Sequence, residues 1–316
     1  MRVPSTVGFG EYCKQAKKRF RKNKGLLLMT VLPTIKIFVF SYLTLFGVII
    51  AFKNFRPVDG IWGSEWVGLK NFEFFFKSND AWRILRNTIV LSFVNIFLGL
   101  ITNVSVALLL YEISNRFALK AYQTILFIPY FFSYVLVGLM LTPLLSSNGG
   151  IITDLIEQLT GTAINFYAEP IAWTIILPIV HIWKGVGYGS LVYYSALMSI
   201  DSELFEAAEI DGANKFQRIR HISLPAILPL ACVLTIMGMG GIVKSDFGLF
   251  YYVTRNSSQL YEWTDTIDTY VFRALTTGAN FSVTSAISLF QNVVGLILIL
   301  VTNKVAKKVD NDYALF

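Results

Sequence analysis

Six long apolar runs dominate this sequence and leave few folds open. They lie at roughly 26–52, 87–111, 122–145, 171–198, 224–249 and 281–302. A helix needs about 20 mostly apolar residues to cross a bilayer, and every run meets that length. In hydrocarbon the backbone finds no water, so each run must close its own hydrogen bonds as a helix. The sequence therefore predicts an all-α membrane protein with six transmembrane helices. Residues 1–25 are polar and carry eight Lys/Arg. The run that follows is too long for a signal-peptide core and reads as a retained anchor. There is no internal repeat and no separate soluble segment, so residues 1–316 read as a single transmembrane domain.

The composition agrees. The chain is 54% apolar and 15% charged, with a net charge of +7. Soluble domains sit nearer 45–50% apolar and about 25% charged, so a water-soluble α/β enzyme is excluded. In a soluble protein the positive charge would suggest nucleic acid. Here it is a sidedness signal. With the N-terminus inside, the inner segments hold 16 Lys/Arg, the outer segments 8 and the spans 3. That bias predicts N-in and C-in. The 53–86 loop dissents, with Arg83 and Arg86 near a membrane edge. In the same loop Phe72, Phe75, Phe76 and Trp82 suggest either a short helix along the outer interface or plain loop packing.

Several chemistries lack their motifs. There is no G-x-x-x-x-G-K-[ST] phosphate loop, no H-E-x-x-H pair and no C-x-x-C pair. Cys13 and Cys232 lie in a basic leader and an apolar run, which implies neither a disulfide framework nor a zinc site. No catalytic residue, metal or cofactor is expected in this chain, and it should not hydrolyse ATP by itself.

The inner loop 199–223 between the fourth and fifth runs is the most informative stretch. Asp201 or Ser202 can N-cap a short helix, with Glu203, Glu206 and Glu209 near its start. Leu204, Ala207 and Ala208 supply a small apolar face. Gly212 can take a positive φ and turn the chain. Phe216, Ile219 and Ile222 then form a second apolar stripe beside Lys215, Arg218 and Arg220, and Leu224-Pro225 opens the next span. Such a helix pair either docks a soluble partner or rests on the membrane surface.

The spacing Glu206-Ala207-Ala208, three residues, Gly212, nine residues, Ile222-x-Leu224-Pro225 resembles the EAA loop of binding-protein-dependent ABC importer permeases. The chain looks closest to the maltose and oligosaccharide group, in its polysaccharide-uptake branch. Supporting stretches are Gly60–Phe72, Ile182–Tyr188, Asp246–Phe250, Asp268–Arg273 and Ala314–Phe316. The resemblance implies the type I importer permease fold in a bacterial cytoplasmic (inner) membrane. It makes Glu206, Ala207, Ala208 and Gly212 the coupling positions that seat in an ATPase. It also implies a second homologous permease, two ABC ATPase subunits that carry ATP and Mg, and an extracytoplasmic solute-binding protein. Membrane lipid is the remaining partner and nucleic acid is none. Sugar would move inward by alternating access.

Ionisable residues inside a membrane are costly and are functional candidates by default. The apolar runs contain Lys36, His181, Lys184, Lys244 and Asp246, with Asn95 and Asn103 as cheaper polar groups. Gly185, Gly187 and Gly189 interrupt the fourth run and would loosen or kink it. Tyr130, Tyr134, Trp183 and Tyr188 offer the aromatic faces that sugars use. The resemblance to maltose-type permeases points to Tyr130 and Tyr134, to His181, Lys184, Gly185 and Tyr188, and to Ser245 and Asp246, with Lys244 beside them. Alternatives stand next to these. Lys184 and Asp246 could neutralise each other, Lys36 and Lys244 could snorkel to an interface, and the aromatics could be girdle residues. The spans carry a formal +2, which favours an acidic oligosaccharide such as a uronate. The alternative function is a secondary transporter of a polar solute, but such a protein usually has internal repeats and an ion site.

Overall fold

The structure, a computed structural model, describes residues 22–147, 149–162, 164–278 and 281–316. Most of the basic leader, with Cys13, lies outside the described residues.

The first apolar run forms α1 (Lys24–Phe52), whose spanning window is only 6% buried by the rest of the chain. A helix that is apolar all round and uncovered by protein needs lipid around it. A two-stranded antiparallel ribbon follows, β1 (Lys53–Asn54) with β2 (Glu65–Trp66), Lys53 facing Trp66. Lys53 Nζ donates to the carbonyls of Ile61 and Trp62 at 2.9 and 3.1 Å, which closes the loop between the strands. The aromatic stretch then forms α2 (Lys70–Phe76). It buries Phe75 and leaves Phe74 and Phe76 exposed, so it combines loop packing with an outward aromatic face; Trp82 is exposed in the first turn of the helix that follows.

The second run is α3 (Asn79–Tyr111), 33 residues long. The third predicted span is not one straight helix. It divides into α4 (Arg116–Phe131) and α5 (Tyr134–Leu145), bent by 96°. Pro129 lacks an N–H, and the Ser133 side chain accepts from Leu136 N at 3.2 Å, capping a new helix. Next come α6 (Ile151–Thr160) and α7 (Trp173–Leu197). The three glycines do not interrupt α7, which runs as continuous α-helix through all of them. The reason lies in packing. A Cβ on Gly187 would collide with the Leu126 carbonyl and the Phe127 backbone, so Gly187 lets α4 lie flush against α7.

The loop 199–223 forms α8 (Ser202–Ile210) and then runs directly into α9 (Lys215–Gly240). The second short helix expected there is thus the first turns of the fifth span, with a π turn at Ile219–Ser223. At its other end α9 stops nine residues short of the predicted boundary. Residues 241–246 are not helical, and the chain becomes helical again only up to Val253. The chain closes with α10 (Ile267–Thr276) and α11 (Phe281–Val309). Among the described residues, five helices are long and apolar enough to cross a membrane, and six if the bent α4–α5 pair counts as one span.

Three apolar clusters hold the bundle. Leu91, Val137, Trp173, Leu177, Leu249 and Val253 join α3, α5, α7 and the 249–253 segment. Ala107, Tyr193, Leu197, Ile227 and Ala231 join α3, α7 and α9 toward the α8 end. Phe75, Ile84, Ile267, Val283 and Ile287 join α2, α3, α10 and α11 toward the opposite end.

Candidate substrate path and coupling loop

The bend between α4 and α5 aims Tyr130 and Tyr134 at α7. Lys184 on α7 donates from Nζ to the Tyr130 carbonyl at 2.8 Å. The same ammonium lies 5.2 Å from the Tyr130 ring centroid and 5.0 Å from that of Tyr134, within cation–π range. Tyr188, one turn further along α7, stacks on Tyr130 with centroids 5.0 Å apart and planes inclined by 15°. The Tyr134 hydroxyl donates to Asp246 Oδ2 at 2.5 Å, and the other oxygen of Asp246 accepts from Leu249 N at 3.3 Å. Tyr130, Tyr134, Lys184, Tyr188 and Asp246 therefore meet at one place, although they come from three distant stretches.

The remaining candidates behave differently. Trp183 packs against Phe132 at 6.2 Å rather than on the tyrosine pair. Gly185 faces open space, where a Cβ would meet nothing within 4 Å. Ser245 is turned to a second network. Its N–H donates to Asp268 Oδ2 at 2.6 Å, and its hydroxyl bonds Asp268 and Thr266 at 3.0 and 2.7 Å. Lys244 is exposed, and its carbonyl accepts from Ser92 at 3.1 Å. Gln291 donates to the Val243 carbonyl at 2.7 Å. Side chains from α3, α10 and α11 thus satisfy the broken backbone at 243–245, which an apolar medium requires. His181 lines, together with Tyr188, a cavity between α3, α7 and α9.

The formal +2 within the spans is not gathered at the tyrosine group. Lys36 is exposed on α1, and Lys244 sits in the non-helical break. Lys184 and Asp246 do not neutralise each other directly, since among the described residues no ion pair joins them and Tyr134 stands between. The site holds one cation and one anion held apart by an aromatic ring.

Sequence reasoning did not single out Asp268, Thr266, Gln291 or Ser92. Only Asp268 carried a signal, as part of the Asp268–Arg273 stretch. A second unforeseen cluster lies at the α10 end. Asp265, with a side chain 1% exposed, accepts from Arg273 Nη2 at both carboxylate oxygens, each at 2.7 Å. Arg83 approaches the same carboxylate at 3.4 Å. Arg273 also covers the Tyr261 ring at 4.1 Å. Burial pushes the Tyr261 phenol above its ordinary range, and the Arg273 charge partly offsets that.

The 199–223 loop has the expected local chemistry. Asp201 is the N-cap of α8 and accepts from Glu203 N at 3.1 Å. Gly212 has φ +78°, a conformation that side chains with a Cβ rarely adopt. Ala213 N then reaches back to the Ala208 carbonyl at 2.9 Å. Asn214 and Gln217 form a capping box that starts α9. The loop is tied to the rest by Lys215–Glu112 at 3.2 Å and by the Phe205 ring, 5.7 Å from that of Tyr111. Glu206 and Ala207 are exposed and Ala208 is half-buried. Leu204, Ile210 and Phe216 are 55%, 87% and 68% exposed, an apolar surface that this chain leaves uncovered.

Comparisons with known proteins agree with this architecture. Residues 95–311 match the family described as the binding-protein-dependent transport system inner membrane component. Protein LplB of Bacillus subtilis is 35% identical over 97% of this chain and 95% of its own length. The polygalacturonan/rhamnogalacturonan transport system permease protein YteP of the same organism is 34% identical, over 93% and 92%. A chain of a bacterial ABC transporter involved in import of the acidic polysaccharide alginate superposes with a TM-score of 0.84 at 29% identity. That match covers 94% of this chain and 99% of the other. A chain from the alginate transporter in complex with its pentasaccharide-bound periplasmic protein gives 0.82 at 30% identity, over 92% and 97%. The secondary-transporter alternative falls with these matches: the chain belongs to the binding-protein-dependent transport system inner membrane component family and is a permease of an ABC importer.

Proposed function

We propose that this permease carries acidic oligosaccharides from an extracytoplasmic binding protein into a bacterial cytoplasm by alternating access. The observation that carries the reading is Lys184, held against Tyr130 and Tyr134 beside the stacked Tyr188. Aromatic faces suit the apolar faces of sugar rings. An ammonium has three donors, and one here is used on the Tyr130 carbonyl. The others have no hydrogen-bond partner among the described residues and are available to a cargo carboxylate. Both Asp246 oxygens already accept a bond, which lessens their competition for the ammonium. The named cargoes of the relatives, polygalacturonan/rhamnogalacturonan and alginate, point the same way.

In this reading the chain is N-in and C-in, as the Lys/Arg bias requires. The apolar tip formed by Leu204, Ile210 and Phe216 seats in one of two ABC ATPases, which hold the ATP and Mg. Glu206, Ala207, Ala208 and Gly212 transmit the stroke. A second homologous permease completes the path. Because α8 runs through a single turn into α9, displacement of the ATPase is delivered directly to the span that ends at the 241–246 break. The test is uptake by the complete complex in vesicles, comparing an oligogalacturonide with its carboxyl-reduced counterpart. Lys184→Gln should reduce the preference for the acidic sugar, and an unchanged preference contradicts the cargo assignment.

A further inference from the structure

In the N-in orientation Arg83 and Arg86 lie at the outer end of α3 and run against the Lys/Arg bias. The structure accounts for the first. Arg83 pairs with Asp80 at 2.8 Å and reaches Asp265 at 3.4 Å. Arg86 makes no ion pair among the described residues, yet it is held in place. Its Nη2 donates to the Glu262 carbonyl at 2.9 Å and to Asn87 Oδ1 at 3.0 Å, and its Nε donates to the same Oδ1 at 3.2 Å. Its guanidinium lies 4.5 Å from the Trp263 ring centroid. Nη1 has no hydrogen bond among the described residues. A guanidinium that is fixed by neutral acceptors and not neutralised is prepared for an anion from outside the chain.

Arg86 borders a cavity of about 270 Å³ between α3 and the outer end of α7, and among the described residues it is the one charged group there. Val90, Leu91, Val94 and the Trp263 ring make the walls mainly apolar. A cation beside apolar walls fits a ring that has apolar faces and carries a carboxylate. Thr174 supplies the α7 wall. Thr174, His181 and Tyr188 follow at seven-residue intervals on a continuous helix, so they share one face. The cavity lined by His181 and Tyr188 therefore continues the same α3–α7 groove further in. Lys184 lies ten residues inward of Thr174, about 15 Å along the helix axis.

We infer that the Arg86 cavity is an outer entry site, which takes one carboxylate of an acidic oligosaccharide as the chain leaves the binding protein. The inference rests on the proposed acidic cargo and extends it. Charge is read at two points, first at Arg86 and then at Lys184.

The test uses the complete complex in vesicles with saturating binding protein and two probes, an oligogalacturonide and its carboxyl-reduced form. Arg86→Gln removes the charge and keeps a side-chain amide that can donate. It should slow initial uptake of the acidic probe about three- to tenfold and leave the neutral probe unchanged. Arg86→Lys, which keeps the charge, should recover most of the loss. Added salt should slow acidic uptake by the wild type more than by Arg86→Gln. Equal slowing of both probes, or of neither, in variants that insert and assemble overturns the inference. So does an effect that vanishes in vesicles of wholly zwitterionic lipid, which assigns the cation to a lipid headgroup. Loss of the acidic preference in Lys184→Gln, with Arg86→Gln behaving as wild type, overturns this site alone. A defect of Arg86→Gln confined to the acidic probe, beside an unchanged preference in Lys184→Gln, overturns the Lys184 assignment and leaves this site standing. Wild-type import of both probes alike overturns both.

Discussion

The Tyr134 hydroxyl donates to Asp246 while the ring of the same residue lies 5.0 Å from Lys184 Nζ. One tyrosine therefore separates the two charges of the candidate path and touches both. It ties α5 to the break after α9, and among the described residues Lys184 has no carboxylate partner. Tyr134→Phe keeps the ring under the ammonium and removes the bond to Asp246. Half-saturation for an acidic oligosaccharide should rise about two- to tenfold, the range expected for one lost hydrogen bond. Concentration-dependent uptake in vesicles measures this, and an unchanged value denies the bond a role in binding.

The break at 241–246 should depend on Asp268. Its carboxylate accepts both the N–H and the hydroxyl of Ser245, and no cation lies within salt-bridge distance of it among the described residues. Asp268→Ala leaves the Ser245 N–H without that acceptor, a loss of about 1–3 kcal/mol. Asp268→Asn keeps an acceptor oxygen and should be milder. Thermal unfolding of the purified protein ranks the three forms, and equal destabilisation by Ala and Asn contradicts the clamp.

At the opposite end of the fold, Gly212→Pro imposes φ near −65° where the turn has φ +78°. The helix tip should lose its aim while the spans still insert. Co-purification of the ATPase and binding-protein-stimulated hydrolysis should both fall. Retention of both denies the loop its coupling role.

Asp265→Ala removes the buried partner of Arg273, whose side chain is 20% exposed. Breaking such a pair from one side costs about 3–5 kcal/mol, because the remaining charge is stranded. The packing of α10 against α3 should loosen, seen as faster amide exchange in residues 261–276. Exchange at the wild-type rate contradicts the role given to this cluster.

The spans were legible because hydropathy reports directly what lipid demands of a backbone. The loop 199–223 was legible because its fixed spacing encodes a cap, a turn and a restart, and each appears at Asp201, Gly212 and Asn214. The interruptions were harder to see. Within the run 224–249 only the Lys244-Ser245-Asp246 triplet interrupts the apolar pattern, and the groups that hold the break come from Ser92, Asp268 and Gln291, far away in sequence. The glycines of α7 misled for a related reason: a glycine that lets helices approach looks the same in sequence as one that bends them. The five residues that meet around Lys184 were each named from sequence, but the insulation of Lys184 from Asp246 by Tyr134 exists only in three dimensions.

The most direct test of the central claim is ATP-driven uptake by the complex reconstituted with its ATPases and binding protein. The ratio of acidic to carboxyl-reduced oligosaccharide imported is measured for wild type and Lys184→Gln. The account predicts that uptake requires ATP, that the wild type prefers the acidic sugar, and that Lys184→Gln removes most of that preference. Uptake independent of ATP, or a preference that survives the substitution intact, contradicts it.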